Sequence, residues 1–406
     1  MNASAEKRAA LSLSLGRSRI SVMNVLTANL LLSSLALWVA GRIYLITMIG
    51  GGNMTTRSNG WLWFAPTIVF CALLVGCAAS LTEATGAPVP IRRSEYLAVD
   101  GARLFLLTRG TDRHAPVLLW LHGGPGGPER PLFRYFNGDL EKHFVVAYWD
   151  QRGAGRLFDP KADPHLLTIS RHLADLDAVV DHLRQLLGQD KIALIGHSWG
   201  SALGLLYVQR HPEKVSAFIG VASLVALLRS QQAEYDFVST EAARRKDEST
   251  LARLRKIGPP PHETADRQLA MERLTDRYGA VFHKKPCKIC VALRGMINGL
   301  VTPGELMSIH RGIHASLDAM TPELLSLDLE RAVPSVDVPV FFFLGRYDRH
   351  VEATLAATYF ETLRAPLKRL IWFENSAHNV PFEEPDLFNA NVMSTLQSIG
   401  IQLVKQ

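Results

Sequence analysis

Cysteine is scarce in this 406-residue chain, and no internal repeat is evident. Four cysteines are too few for a disulfide-dense mini-protein. With 48% hydrophobic and 20% charged residues, the composition also excludes a disordered chain and a collagen-like repeat. The length allows two or three average domains, or a single large α/β core.

A nucleic-acid-binding surface is also missing, although the net charge is +6. The first 93 residues hold eight basic and two acidic side chains, and the other 313 residues hold 36 of each. A nucleic-acid partner would require clustered lysine and arginine on the folded body. The basic excess instead belongs to the N-terminal segment, and we expect no nucleic-acid partner.

Two apolar runs, residues 20–41 and 61–81, dominate that segment. About 20 apolar residues suffice to cross a bilayer core, and the preceding basic residues place the N-terminus in the cytoplasm. We therefore interpret residues 1–90 as a targeting or membrane segment that ends in a tether, 82–90, and exclude them from the fold. The chain is expected to be membrane-associated.

A second interpretation treats Met54 as the true translation start, in place of Met1. Residues 61–73 would then be the apolar region of a secretory signal, and 74–77 would resemble a bacterial lipobox with Cys77 as the lipidated residue. The two interpretations give opposite topologies. Two spanning helices return the body to the cytoplasm, whereas a lipobox anchors it by lipid outside the inner membrane.

No metal or organic cofactor is expected. Cys287 and Cys290 form one C-x-x-C pair, which is half of a four-cysteine zinc site and lies outside any thioredoxin-like pattern. A structural pair, reduced or bridged, explains it. The G-x-x-x-x-G-K-[ST] phosphate loop is also absent.

The body, residues 91–406, has the pattern of an α/β fold. A hairpin is predicted around the tight-turn dipeptide Asp100-Gly101. Buried parallel strands are predicted at Pro116–His122, Phe144–Asp150, Ile192–Gly196, Ala217–Ala222, Pro339–Gly345 and Arg369–Phe373. An amphipathic helix at Arg171–Leu187 lies between two of them. We expect a mostly parallel sheet with helices on both faces, formed by 91–228 and 333–406, with an inserted helical cap at 229–332.

The strongest chemical signal is the G-x-S-x-G motif Gly196–Gly200. It follows a strand-like run and precedes a helix-like run, as a nucleophile elbow requires. Ser198 is the predicted nucleophile. In this fold an acid and a histidine should follow in that order, after strands. Asp348 and His378 meet both conditions and are the predicted partners that activate the serine.

A glycine-rich loop, His122–Gly127, follows another strand. Such a loop can aim a backbone N–H at a developing oxyanion, and the residue after the nucleophile supplies a second N–H. We predict that Gly124 and Trp199 are these two donors.

Three segments together resemble the prolyl iminopeptidase branch of the α/β-hydrolases: His122–Gly126, Asp150–Arg156 and Gly196–Ser201. That branch shows HGGPG, DQRGxGxS and GxSWGS at comparable spacings. The resemblance covers roughly 91–406 and implies a serine hydrolase with a helical cap. It also implies that the site is shaped by His122, Gly123, Asp150, Gln151 and Arg152, for which we favour a structural polar network over direct catalysis.

The sequence departs from that branch at two places. Leu157 stands where the second motif usually ends in serine. That branch holds the substrate's amino group with acidic residues near a tryptophan-glutamate pair in the cap, but this cap contains no tryptophan. Three cap carboxylates, Glu234, Asp236 and Glu241, are explained by solvated helix faces. The predicted activity is release of an N-terminal proline-like residue from a short peptide. The alternatives are an esterase or lactonase for small acyl substrates, and an inactive tethered binding protein.

Overall fold

A computed structural model describes residues 88–284 and 288–404. Most of the predicted targeting segment, Cys77 included, and Cys287 lie outside the described residues. Within the described ranges, no helix combines the length and hydropathy needed to cross a membrane.

The predicted hairpin and all six predicted parallel strands are confirmed within three residues at each end. The eight strands are β1 Ile91–Val99, β2 Ala102–Gly110, β3 Val117–Leu121, β4 Val145–Asp150, β5 Ile192–His197, β6 Val215–Val221, β7 Val340–Gly345 and β8 Lys368–Phe373. Every residue of β3, β4, β5 and β7 is buried. Strands covered on both faces need continuous apolar runs, which is why these segments were recognisable.

The strands form one sheet in the order β1-β2-β4-β3-β5-β6-β7-β8. The first two pairings, β1 with β2 and β2 with β4, are antiparallel, and all the others are parallel. Parallel neighbours bring their carboxyl ends to one edge. The segments that follow β3, β5, β7 and β8 therefore meet there, and they carry the predicted site residues.

Twelve helices are described in the same ranges: α1 Arg130–Asn137, α2 Ile169–Leu187, α3 Trp199–Arg210, α4 Leu227–Arg244, α5 Glu248–Ile257, α6 Ala265–Arg277, α7 Lys288–Ile297, α8 Pro303–Ser326, α9 Leu329–Ala332, α10 Ala353–Thr362, α11 Val380–Glu383 and α12 Pro385–Ser398. The predicted helix α2 is confirmed. Its first turn is capped by the Thr168 side chain, and it ends at Gly188 in the left-handed conformation.

Two apolar clusters cover the two faces of the sheet. On β3, Leu119 and Leu121 pack into the cluster with α2 and α3, whereas Leu118 and Trp120 pack into the cluster with α1 and α12. This alternation follows from the two-residue period of a strand. Helices on both faces fix the sheet and the loops at its edge.

Between β6 and β7 the described chain is helical, from α4 to α9. We call residues 227–332 the helical insertion. A small apolar cluster built on α4, α5 and α6 gives the insertion its own core, which includes Val238, Leu254 and Met271. The elements that the structure describes in this region are all helices.

Candidate active site

Ser198 stands between β5 and α3 in a strained conformation, with φ of 53° and ψ of −119°. Its backbone N–H donates to the Val221 carbonyl oxygen over 2.9 Å. A Cβ on Gly196 would collide with the Gly200 carbonyl, and one on Gly200 with the Leu121 carbonyl. Both glycines are therefore needed for the tight strand-to-helix turn that holds a serine in this position.

Asp348 and His378 lie beside each other, in the loops that follow β7 and β8. The distance between His378 Nδ1 and Asp348 Oδ2 is 2.9 Å, and both side chains are buried. The other oxygen of Asp348 accepts the backbone N–H groups of His350 and Val351. Burial disfavours the ionised carboxyl, but His378 and these hydrogen bonds hold the pKa of Asp348 below its ordinary value.

The surroundings of His378 together favour the neutral form of its ring. Burial lowers the pKa of His378, and Asp348 opposes that effect. Two more histidine rings, His350 and His197, each lie 4.9 Å from the His378 ring between centroids and lower its pKa further. At neutral pH the ring is therefore free to accept a proton.

The glycine-rich loop lies directly against Ser198. A Cβ on Gly123 would stand 3.2 Å from the Ser198 Cβ. Gly124 lines the same cavity as Ser198 and has a φ of +112°. Trp199 is the first residue of α3, where backbone N–H groups have no partner within the helix. Gly124 therefore borders the cavity, and Trp199 directly follows the serine at the start of α3.

Most of the residues predicted to shape the site form a polar network beneath that loop. Gln151 donates its backbone N–H to His122 Nε2 over 3.0 Å and its side-chain amide to the His122 carbonyl over 2.9 Å. Its amide oxygen accepts from the Trp199 indole over 2.9 Å. Burial lowers the pKa of His122 to about 4, so its neutral ring can accept from Gln151. These contacts hold the glycine-rich loop against α3.

Asp150 and Arg152 make buried ion pairs on either side of Gln151. Arg152 binds Asp175 through two hydrogen bonds of 2.8 and 2.6 Å. Arg130 contacts Asp150 at 3.4 Å and also pairs with Glu305 of the insertion. Burial raises the pKa of Asp150 to about 6. Arg130 thus connects the sheet to the insertion, and these residues act as supports.

Three glycines let the insertion approach the motif loops closely. A Cβ on Gly312 of α8 would lie 2.8 Å from the Gly153 carbonyl oxygen and 3.2 Å from that of Gly126. Gly126 and Gly153 both have positive φ. The motif glycines therefore serve packing against α8 as well as the loop conformation.

A cavity of about 350 Å³ lies between the insertion and the sheet edge. Ser198 and His378 line it from the sheet side, and the insertion contributes apolar side chains such as Leu227 and Ile313. Three carboxylates also line this cavity: Glu129, Glu234 and Glu272. We call it the serine cavity.

Glu234 is paired with His350, so its interpretation as a solvated carboxylate is wrong. Glu234 is 3% exposed, and its Oε1 lies 2.9 Å from His350 Nδ1. Burial lowers the pKa of His350, but Glu234 with other carboxylates outweighs this and raises it to about 10. The solvated interpretation suits Asp236, which is exposed, and Glu241 pairs with Arg244 and Arg245.

His197, the residue before the serine, makes a second such pair. Its Nδ1 lies 2.6 Å from Glu129 Oε1, and its Nε2 lies 3.0 Å from the His378 carbonyl oxygen. Both partners are acceptors, so both ring nitrogens must carry protons and the ring is a cation. Burial opposes this charge, but Glu129 more than offsets it and raises the pKa of His197.

Glu272 differs from the other two carboxylates. It is half-buried on α6 and makes no hydrogen bond or ion pair within the described ranges. Glu129 and Glu234 each hydrogen-bond a protonated histidine. Glu272 has no such hydrogen-bonded partner, although its charge contributes to the raised pKa of His350.

No group of three or more potential ligand side chains that could hold a metal occurs among the described residues. Cys290 is disulfide-bonded.

The sequence did not single out Glu129, His197, Glu272 or His350. Two of them were adjacent to signals, since His197 lies within G-x-S-x-G and Glu129 follows the glycine loop by two residues. Nothing in the sequence marks Glu272, because it reaches the cavity only through the packing of the insertion. His350 follows the predicted Asp348 by two residues, in the loop after β7, but belongs to no motif.

Known proteins share this architecture. A model of the alpha/beta hydrolase fold matches residues 116–264. A probable aminopeptidase of Bacillus subtilis (strain 168) is 32% identical over 300 residues, which is 73% of this chain and 94% of that protein. A proline iminopeptidase of Xylella fastidiosa is 38% identical over 120 residues, or 30% of this chain and 36% of that protein.

The solved structure of a proline iminopeptidase of Mycobacterium smegmatis superposes with a TM-score of 0.55 at 17% identity, and covers 76% of this chain and 98% of that one. That likeness shows the fold. The family-model match and the long match to the B. subtilis protein make the chain a hydrolase. The chain belongs to the α/β-hydrolase superfamily, in its prolyl iminopeptidase-like branch.

Proposed function

We propose that this hydrolase is a serine aminopeptidase that releases a proline-like residue from the N-terminus of a short peptide. Ser198, His378 and Asp348 are its catalytic residues. The observation that carries the proposal is the pair of insertion carboxylates, Glu234 and Glu272, in the cavity that also holds Ser198 and His378.

In the proposed reaction Ser198 attacks the carbonyl carbon of the scissile bond while His378 takes the hydroxyl proton. Asp348 holds the imidazole through Nδ1 and stabilises its charged form. The Gly124 and Trp199 N–H groups stabilise the oxyanion, each by roughly 3 kcal/mol. His378 then gives its proton to the leaving nitrogen, and water attacks the acyl-enzyme with His378 as the base. No step requires a cofactor.

Charge in the serine cavity supports an aminopeptidase. A substrate with a free N-terminus brings an ammonium group close to the scissile carbonyl. Glu272 offers a carboxylate that makes no hydrogen bond or ion pair within the described residues, and Glu234 lies in the same cavity, hydrogen-bonded to His350. A cation that enters a partly desolvated cavity needs such a partner. An esterase for uncharged acyl groups has no use for this carboxylate.

A paired assay on the full chain tests the proposal. One substrate is a prolyl arylamide and the other a short p-nitrophenyl ester. We expect turnover of the arylamide, and ester turnover without arylamide turnover would refute the peptidase assignment in favour of the esterase. Labelling by a fluorophosphonate probe tests the chemistry. An unlabelled wild type would favour an inactive binding protein, and equal labelling of Ser198→Ala would show that Ser198 is not the nucleophile.

The amine-binding role has its own test. Glu272→Gln keeps the size of the side chain and removes its charge, so KM for the arylamide should rise about tenfold or more, as for loss of a charge-assisted hydrogen bond. Ester turnover should stay within a factor of about two, because the ester carries no ammonium group. Glu263→Gln, an exposed carboxylate of the same insertion, is the matched control and should change neither. Equal loss with both substrates would contradict the role.

Membrane attachment through residues 1–90 is a separate proposal that rests on the two apolar runs. The mature N-terminus in the membrane fraction tests it. A protein that starts at Cys77 would support lipidation, residues 54–76 intact in the membrane protein would exclude cleavage there, and a chain found outside the membrane fraction would reject attachment altogether.

A further inference from the structure

A second cavity, of about 320 Å³, adjoins the serine cavity. Its walls come from α1, α7 and α8 and from two phenylalanines, one after α6 and one in α11. We call it the side cavity and define it by Leu132, Phe136, Phe282, Val291, Ala292 and Phe382. No charged residue lines it, and Tyr135 is its one lining residue with a polar side-chain atom, within the part of the chain that the structure describes. A space of this kind suits an apolar group.

The side cavity is next to the serine cavity, because four residues line both. These are Pro128, Leu132, Phe282 and Ile309. The carboxylates of the serine cavity do not line the side cavity. A substrate that spans the two adjoining cavities therefore meets an acidic environment in one and an apolar environment in the other.

The side cavity borders the loop that carries His378. Val281 accepts the His378 backbone N–H over 3.1 Å, and Phe282 is the next residue. Phe382 follows His378 by four residues, and its ring centroid lies 6.2 Å from that of His197. Because His378 must protonate the leaving nitrogen, the leaving part of the substrate has to pass this histidine. The acidic side chains from α4 and α6 then remain for the substrate's amino group.

We propose that the side cavity binds the side chain of the residue after the scissile bond, and that it selects peptides with a large apolar residue at their second position. This rests on the proposed function. The N-terminal residue sits with its ammonium near Glu272, its carbonyl sits at Ser198, and the second side chain enters the space between α1 and α7.

The first experiment measures kcat/KM of the full chain for a series of prolyl dipeptide amides. The second residues are alanine, leucine, phenylalanine and aspartate. Burial of added apolar groups in a pocket changes kcat/KM by about tenfold or more. We expect phenylalanine and leucine to exceed alanine by about that factor, and aspartate to be the poorest. Equal values across the series would overturn the selection, while the peptidase activity itself would stand. No turnover of any dipeptide would overturn the proposed function and this inference together.

The second experiment fills the side cavity. Val291 and Ala292 are half-buried lining residues of α7, whereas Leu293 beside them is exposed. Ala292→Phe and Val291→Phe should each lower the ratio of phenylalanine to alanine amide turnover at least tenfold. Leu293→Phe adds a similar ring outside the cavity and should leave the ratio unchanged. Fluorophosphonate labelling of every variant checks that the site has folded.

The same variants also test whether the side cavity holds the second residue of the substrate or its N-terminal residue. If the side cavity holds the second residue, Ala292→Phe and Val291→Phe change selectivity in the dipeptide series. They then leave unchanged the preference among arylamides that differ only in the N-terminal residue. A change confined to the arylamide series would show that the cavity holds the N-terminal residue, and would refute the proposal.

Discussion

Replacing His350 by glutamine should move the acidic limb of the activity profile to higher pH. His350 is protonated over the physiological range, since its pKa is raised to about 10. Its ring lies 4.9 Å from that of His378. A cation at this distance opposes the uptake of a proton by His378, and it is among the causes of the lowered pKa of His378.

The size of the shift follows from this distance. Two unit charges 4.9 Å apart repel by about 3 kcal/mol at an effective dielectric constant of about 20, which corresponds to about 2 pKa units. The Glu234 carboxylate, 2.9 Å from His350 Nδ1, counteracts part of this repulsion. The His350 side chain is also 27% exposed, so water screens it. We therefore expect an upward shift of about one pH unit.

The assay is the rate constant of inactivation by a fluorophosphonate between pH 4 and 9. This reagent has no amine to titrate, so the acidic limb reports the pKa of His378 in the free enzyme. In wild type the limb should lie below pH 6.5, the ordinary histidine pKa. In His350→Gln its midpoint should rise by about one unit.

Two further variants make the result specific. His314→Gln removes a histidine of similar exposure, 29%, that does not line the serine cavity, and its profile should match wild type. The double variant His350→Gln/Glu234→Gln replaces both charges by neutral amides and should shift the limb in the same direction but less. An unchanged or lowered midpoint in His350→Gln would refute the electrostatic argument.

Three other predictions concern the histidine-carboxylate pairs and the glycine turn beside Ser198. Glu129→Gln and His197→Gln should each lower kcat about 10- to 100-fold with little change in KM. In both variants the loop that carries His378 loses the charged hydrogen-bond donor that positions it. Loss of fluorophosphonate labelling together with loss of stability would instead indicate misfolding. Gly200→Ala should lower the free energy of unfolding by about 2 kcal/mol or more through its clash with a backbone carbonyl, whereas Gly138→Ala, which meets open space, should change it little in urea unfolding. The His350 ion pair should stabilise the fold fully below about pH 6.5 and lose its effect as pH rises through about 10, so wild type and His350→Gln should converge in urea unfolding at high pH.

The sheet was predictable because each central strand is buried on both faces. Continuous apolar runs such as Val117–Leu121 and Val340–Gly345 have this signature. The strand order could not be read from the sequence, since pairing depends on which apolar faces meet in three dimensions. The placement of β4 between β2 and β3 is one such tertiary choice.

The positions of Ser198, Asp348 and His378 followed from local rules. A tight turn needs glycines on either side, and in this fold the acid and the histidine follow later strands. The structure brings Asp348 and His378 into contact and lines one cavity with Ser198 and His378. Their catalytic roles remain predictions that labelling and kinetics will test.

The carboxylates of the serine cavity could not be predicted from local rules of this kind. Glu234 looked like one of many helix-surface acids, because helical periodicity gives no information about which face of an inserted helix meets the sheet edge. Only packing placed it against His350 and brought Glu272, which makes no hydrogen bond or ion pair among the described residues, into the serine cavity. If Glu272 binds the substrate's amino group as proposed, a single substitution on α6 should change the substrate while the sheet stays the same.

The sequence by itself determined the class of fold, the elbow and its two downstream partners, since these depend on runs and turns a few residues long. The tertiary structure alone decided which side chains surround the serine. His197 and His350 are far apart in the chain, and their charges act on His378 only because the loops converge at one edge of the sheet. Glu129, from a third loop, raises the pKa of His197. Electrostatic interaction depends on distance in space and on burial, and neither is a local property of the sequence.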